Sequence, residues 1–330
     1  MKLKICETDE TRYMKVLDLQ NGNRQLHTDE VRRCTFSAAL GCFDGVHIGH
    51  AALLRAACDA AAKNGSAPAV WTFAAPPFPN RAKQLTTLTE KLSLFAGYGI
   101  RYAILFDFAD VRDLSPDDFI HRILIGQSRI VSCVCGFNFR FGKDAAGTSA
   151  HLVSGFEGYG YSVSVQPAVS LDGSTVSSTR IRSLLSVGDT MTAAHCLGRW
   201  HSLTLPVVHG KELGRTIGVP TLNQNPPSEM QIPANGTYAS FVSVDGKTYP
   251  AVTNIGMRPT VDRNVQIPNA ETHIIGYSGT LYDRDVTVAF RRRLRDEIRF
   301  DSLEALRTQI TRDIAASAES FSGDQSEFSF

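Results

Sequence analysis

The sequence lacks any run of about 18 consecutive apolar residues, so it offers no candidate transmembrane helix. Its first residues, MKLKICETDETRY, also lack the apolar stretch of a secretory signal, which sets the cytoplasm as the expected compartment. Net charge is scarce too. With 34 Lys and Arg against 33 Asp and Glu the chain carries +1 at pH 7, and no global field calls for nucleic acid or an anionic membrane. The seven cysteines contain no CxxC pair. Cys42, Cys58, Cys133, Cys135 and Cys196 sit in apolar or helical surroundings, which reads as reduced, buried thiols rather than a disulfide frame. Period-two spacing puts Cys133 and Cys135 on one strand face. Low-complexity tracts are few, and 43% hydrophobic residues against 20% charged ones describe a globular chain.

What the chain does contain is two different rhythms, and at 330 residues two domains are expected. From Phe36 onward, short apolar runs (FSAALGCF, PAVWTF, RYAILFDF, IVSCVCGF, YSVSVQPAV) alternate with helical stretches opening near Ile48, Glu90 and Ser115. Alternation of this kind predicts βαβ units on a parallel sheet. Thr87 with Glu90 and Ser115 with Asp118 have capping-box spacing, and Pro116 takes a first helical position. Helices near Ser177 and Asp189 follow. After Gly198 the runs LTLPVVHG, TYASFVSV, TYPAVTNIG, THIIGY and DVTVAF are separated by turn signals, Asp245-Gly246 being the clearest hairpin. They predict a small antiparallel barrel. A last helix, opened by Asp301 and Glu304, would carry Leu303, Leu306, Ile310 and Ile314 as a stripe against that barrel. The domains are placed at residues 1–187 and 188–330, with 1–13 an extension and 321–330 a loose tail.

The segment Gly41-Cys-Phe-Asp-Gly-Val-His-Ile-Gly-His50 leaves a predicted strand and enters a predicted helix. Gly41, Gly45 and Gly49 permit close backbone approach, and the helix opening offers free N–H groups to a phosphate. His47 and His50, three apart, can both face that phosphate and stabilise charge developing on it. The loop is neither GxGxxG nor a Walker A loop, which disfavours hydride transfer and P-loop chemistry. A plain strand-to-helix turn, or a partial metal site with Cys42 or Asp44, stays open at this point.

GxFDGxHxGH is similar to the HxGH signature of the nucleotidyltransferase superfamily, in the form carried by bacterial bifunctional riboflavin kinase/FAD synthetases. Gly136-Phe-Asn-Phe-Arg-Phe-Gly142 and Ser177-Ser-Thr-Arg-Ile-Arg182 resemble two further elements of that family, in its order. The resemblance implies a Rossmann-like nucleotidyltransferase domain that adenylylates FMN to FAD. In it Gly41, Phe43, Asp44, Gly45 and Gly49 bind nucleotide, and Asn138 joins His47 and His50 near the reacting phosphates. Ser178, Thr179 and Arg182 suit the phosphates that leave as pyrophosphate, though SSTR is also a good helix cap. One element departs: where relatives carry Pro-His-Pro, this chain reads Phe73-Ala-Ala-Pro-Pro-Phe78.

The second domain extends the likeness. His209 to Asn223 resembles the riboflavin kinase GRxxGxPTxN signature, with PTLN for the usual PTAN. That implies Gly210, Gly214 and Gly218 around ATP phosphates, and Thr221 and Asn223 as oxygen ligands of Mg²⁺. Asn254-Ile-Gly-Met-Arg-Pro-Thr260 and Glu271-Thr-His273 match NIGxRPT and ExH, followed by Leu281-Tyr282 and Leu294-Arg295. By this resemblance Glu271 is the base for the riboflavin 5′-hydroxyl and Arg295 contacts flavin; a water-exposed strand-end glutamate is the plain alternative. Arg291 to Arg293 read as a solvated face. The implied enzyme makes FMN from riboflavin and FAD from FMN with Mg-ATP; its partners are small molecules, not nucleic acid or membrane, and self-association stays open. Rival readings are a nucleotidyltransferase with another acceptor and a flavin-binding regulatory protein that has lost activity.

Overall fold

The computed structural model describes residues 14–19, 33–77, 82–210, 214, 218–259 and 266–321. Expectations for residues 1–13, Phe78, Thr260 and 322–330 lie outside these. The chain divides into two compact units, Met1–Ser177 and Ser178–Phe330.

In the first unit six parallel strands form one sheet: β1 (Lys15–Asp18), β2 (Phe36–Leu40), β3 (Ala67–Phe73), β4 (Tyr102–Phe106), β5 (Ile130–Gly136) and β6 (Ser162–Gln166), in the order β1-β4-β3-β2-β5-β6. Strands buried on both faces are what a parallel sheet requires. Alternation sends Phe36, Ala38, Leu40, Cys133 and Cys135 into one core, and Ala39, Val70 and Val134 into the other. The spatial order reverses at β2, with β3 on one side and β5 on the other, so the carboxyl ends of β2 and β5 flank a switch point where α/β folds bind ligands. β1, whose four residues carry no run long enough to read in the sequence, pairs with β4.

The helices of this unit among the described residues include α1 (Ile48–Asn64), α2 (Leu88–Gly97) and α3 (Ser149–Glu157). The predicted box at α2 is present: Glu90 N–H donates to Thr87 Oγ1, and Thr87 N–H donates to the Glu90 carboxylate at 2.7 Å. The helix expected after Ser115 has one α-turn, Pro116–Asp118, and then continues as a π-helix over Phe119–Gln127. No local sequence signal marks α3, because its box is closed by His151, whose ring accepts from the Thr148 N–H, and not by a Glu or Gln.

The second unit opens with α4 (Ser178–Ser186) and α5 (Thr190–Leu197). Both fasten to later parts of the unit: Ala234 N–H donates to Leu185 C=O, and Thr190 Oγ1 donates to Arg291 C=O at 2.7 Å. Then come β7 (His201–Pro206), β8 (Leu222–Gln224), β9 (Gly236–Val244), β10 (Lys247–Pro259), β11 (Gln266–Ile274) and β12 (Asp285–Arg295), ordered β7-β12-β9-β10-β11-β8. The β9–β10 turn is the expected one, with Asp245 at φ 50° and Gly246 at φ 75°. An antiparallel bridge between Val208 and Asn223 joins the two ends of this order, and Gln224 Nε2 donates to Leu205 and Val286 carbonyls across the same seam.

Helix α6 (Leu303–Phe321) corrects one expectation. Leu303 is 56% exposed, and the helix's fully buried residues are polar, Asp313 and Ser317. Asp313 receives the Arg295 guanidinium, Ser317 Oγ donates to Ala251 C=O, and Phe321 packs on Phe241. Its cap is Ser302, whose hydroxyl accepts from Ala305 N–H, rather than Asp301. Arg291 is buried too, its guanidinium over the Trp200 and Phe321 rings, so the basic run is not wholly a solvated face. Cys42 is exposed rather than buried, because it lies in the loop leaving β2 instead of in the strand.

Candidate active sites

The loop between β2 and α1 is built around two imidazoles. His47 caps α1: its Nδ1 accepts the His50 backbone N–H at 3.2 Å. Since Nδ1 is an acceptor, the neutral ring must carry its proton on Nε2, where it can be donated to an anion. The His50 ring stacks on that of His47 with centroids 3.6 Å apart, and Phe43 meets His50 edge-on at 5.2 Å. Getting the chain around this corner takes positive φ at Phe43 (52°), Gly45 (82°) and Val46 (39°), an unfavourable choice for a β-branched valine. Such backbone is held only where its surroundings over-determine it. Phe43 and Val46 are fully buried, and Gly45 N–H donates to Thr86 Oγ1.

The Asp44 carboxylate is taken up from inside, accepting the Leu85 and Thr86 backbone N–H groups at 3.0 and 3.2 Å. Beneath the loop lies Lys91, which the sequence reading did not single out. It is 8% exposed, and its Nζ reaches Cys42 C=O at 3.4 Å. Burial pulls its pKa below the usual lysine value, while Asp44 and then Cys42 oppose that pull. With His47 acting as a cap and Asp44 turned to backbone amides, the partial metal site is not formed; no cluster of three or more His, Cys, Asp or Glu side chains able to hold a metal occurs among the described residues.

Beside the loop opens a cavity of about 780 Å³. Gly41, Cys42 and Asn138 contribute to its lining, so the elements after β2 and β5 meet there. Trp71, Phe73, Phe108, Phe119, Phe139 and Phe141 supply aromatic wall. Phe73 and Pro77 bring the departing Phe-Ala-Ala-Pro-Pro segment to the same space. Ser178, Thr179 and Arg182 belong to α4 and are described with the second unit.

In the second unit the strand register sets one polar row. Asn223 faces Glu271, Glu271 faces Asn254, Asn254 faces Thr237, and Thr237 faces Arg295, each directly across from the next. Directly opposed residues share a sheet face. Here it is the face turned away from the barrel core, which takes Leu222, Ala270, Ile255 and Tyr238 instead. Gly210 lies so close to the Asn223 side chain that any β-carbon there would collide with its amide. Val219 N–H donates to Gly214 C=O, and Gly218 sits at φ 77°. His273 Nδ1 and Pro220 C=O are 2.8 Å apart, which ties the turn carrying Thr221 to β11. Thr221 and Pro220 line a cavity of about 220 Å³ together with Thr272, Tyr277 and Tyr282, and Tyr282 stacks on His209 at 3.9 Å. Arg295 is committed elsewhere: its Nε and Nη2 donate to the Asp313 carboxylate at 2.8 to 3.1 Å, and Nη1 donates to Asp296 C=O.

Comparison with known proteins matches the two parts of the chain to two different family models. A family model described as FAD synthetase matches residues 30–180, and one described as riboflavin kinase matches 197–321. A bifunctional riboflavin kinase/FMN adenylyltransferase of Pseudomonas fluorescens is 36% identical over 89% of this chain and 95% of its own length. One from Escherichia coli K12 is 35% identical over 86% and 91%, and one from Bacillus subtilis 32% identical over 83% and 89%. A crystal structure described as a macrolide-efflux protein from Streptococcus pneumoniae superposes with a TM-score of 0.81 at 27% identity, over 92% of this chain and 99% of that one. Among the described residues no helix is long and apolar enough to cross a membrane. With stacked histidines at a strand-to-helix turn, a Thr-Leu-Asn turn held to a Glu-bearing strand, and relatives matched across nearly their whole length, the chain belongs to the bifunctional riboflavin kinase/FMN adenylyltransferase family.

Proposed function

We propose that residues 188–330 phosphorylate riboflavin to FMN and residues 1–187 adenylylate that FMN to FAD, both from ATP. The observation that carries the second step is the His47–His50 stack capping α1 beside the aromatic cavity. In this reading the cavity takes the flavin ring and an FMN phosphate oxygen attacks the α-phosphorus of ATP. Nε2–H of His47, with His50 and Asn138, meets the charge that grows on the phosphoryl oxygens as pyrophosphate departs. Gly41, Gly45 and Gly49 let the backbone close on the phosphates, and Phe43 and Asp44 hold the loop's shape from within.

For the first step, Glu271 accepts the proton of the riboflavin 5′-hydroxyl as its oxygen attacks the γ-phosphorus and ADP leaves. Gly210, Gly214 and Gly218 shape the phosphate turn. Thr221 and Asn223 offer a hydroxyl and an amide oxygen, hard neutral donors that fit Mg²⁺ alongside phosphate oxygens. Magnesium, when bound, supplies charge neutralisation on those phosphates. Arg295 serves flavin binding indirectly, by fixing α6 to the end of β12. The cytoplasm is the compartment proposed.

The test is to incubate the protein with riboflavin, Mg²⁺ and ATP and resolve flavins over time by chromatography. FMN should rise first and FAD after it. His47→Ala should cut FAD formation about 10²- to 10³-fold and spare FMN. Glu271→Gln should slow FMN formation about 10²- to 10⁴-fold and spare adenylylation of supplied FMN. Parallel loss of both steps in a folded variant would refute the two-site reading. The Phe-Ala-Ala-Pro-Pro wall favours a second reading, a flavin binder without turnover, and bound flavin with unconsumed ATP would select it.

A further inference from the structure

Lys91 belongs to none of the motifs, yet α2 brings it under the loop that carries both histidines. Its Nζ donates to Cys42 C=O at 3.4 Å, and Thr72 Oγ1, on β3, donates to the same oxygen at 3.4 Å. A carbonyl oxygen has two lone pairs, and here both donors reach it from the interior. Thr72 is fully buried and Lys91 is 8% exposed; the aromatic cavity is lined by Cys42 but by neither donor. An ammonium is costly to bury, and a methionine of similar length would fill the space without that cost. Packing therefore does not account for the amine, whereas the oxygen it holds does.

The direction of that oxygen governs the strained corner of the loop. The peptide joining Cys42 to Phe43 is planar, so turning it over moves φ of Phe43 by about 180°. With the oxygen inward φ is 52°, in the left-handed region that L-residues avoid; with the oxygen outward it would return to the ordinary negative range. The relaxed arrangement is the wrong one for a phosphate, because it carries the negative end of the peptide dipole to the outer side of the loop. Once nothing holds the peptide, the left-handed penalty favours the flipped form by about 5- to 30-fold.

We propose that Lys91 is a positioning residue for adenylyl transfer: together with Thr72 it holds the Cys42 carbonyl inward and keeps the 42–43 peptide from flipping against the ATP phosphates. This rests on the reading of the loop as the adenylylation site. A flipped peptide lowers the fraction of protein able to take ATP, so the apparent affinity for ATP falls by that fraction while turnover at saturating ATP is spared.

The experiment is a double-mutant cycle on the full-length protein, reading adenylylation of supplied FMN for K91M, T72V and the pair, with riboflavin phosphorylation as internal control. T72V should raise KM for ATP less than about twofold, K91M about 3- to 10-fold and the pair about 10- to 30-fold, more than the product of the two, because either donor alone still restrains the peptide. KM for FMN should move less than about twofold, kcat less than about threefold, and the melting temperature of K91M should be unchanged or raised. A lower melting temperature with KM for ATP unmoved would make Lys91 structural and overturn the proposal, as would losses in the pair that merely multiply. Parent-like KM for ATP in K91M beside a crippled His47→Ala would overturn it while leaving the adenylylation reading intact. No FAD from the parent protein would instead overturn that reading and the proposal with it. Should Met prevent folding, K91Q removes the charge and shortens the donor's reach, and the same cycle applies.

Discussion

Gly49 shows how much of the proposed adenylylation site is decided one atom at a time. A β-carbon there would stand 3.1 Å from Cε1 and 3.2 Å from Nδ1 of His47, the ring that caps the helix. Gly49→Ala should therefore improve the helix while displacing the imidazole. The expected outcome is an unchanged or slightly raised melting temperature with FAD formation down about 10-fold or more and FMN formation intact. A variant with normal FAD formation would show that the ring need not stand where the cap holds it. At this scale the sequence is most readable where chemistry is contiguous, as from Gly41 to His50. Lys91 was not legible, because it lies 49 residues from the carbonyl it reaches. Asp44 and Arg295 were legible as important but not as to what they touch: one braces the loop through backbone amides, the other grips Asp313.

Among the elements, α6 is the most instructive because the residues it buries most deeply are polar, while Leu306, Ile310 and Ile314 are only half-buried. Arg295 and Asp313 are 18% and 6% exposed at the side chain, and Gln309 Nε2 adds a donor to the same carboxylate. Removing one member leaves the other charge largely buried and unpaired. Asp313→Ala should cost about 3 kcal/mol in urea unfolding of this unit, well above the ~1 kcal/mol expected from truncating a surface pair. Exposed Leu303→Ala should cost almost nothing, the opposite ranking from the one its hydrophobic pattern suggests. The strands with long apolar runs and the helix boxed by Thr87 and Glu90 were legible because alternation and Ser/Thr-to-Glu caps are local signals. The π-helical continuation after Asp118 and the three-residue β8 were not, since the first depends on a shifted hydrogen-bond ladder and the second on partners far along the chain.

At the scale of the whole molecule, the two rhythms of the sequence became two units, and stability of the second has a titratable component. His201 is buried at 3% exposure on β7, with Nε2 3.2 Å from Gln231 C=O. Burial chiefly, with help from Arg199 and against the Gln231 hydrogen bond, pushes its pKa down to about 4. Between pH 4 and about 6.5 the unfolded chain thus binds a proton that the folded one refuses. Its contribution is fully present above about 6.5 and is lost as pH falls toward 4, by roughly 3 kcal/mol in all. Urea midpoints measured from pH 7 to pH 4.5 should fall less steeply in His201→Phe than in the parent; parallel slopes would discount this group.

The bridge at Asn223 has one more consequence. The residue assigned to the metal-bound triphosphate is also the rung that shuts the barrel against Val208. If Asn223 grips the nucleotide as proposed, that grip and the closure of the staves would be one free energy seen from two sides: a visit of substrate would tighten the hoop, and fraying of the hoop would let substrate go.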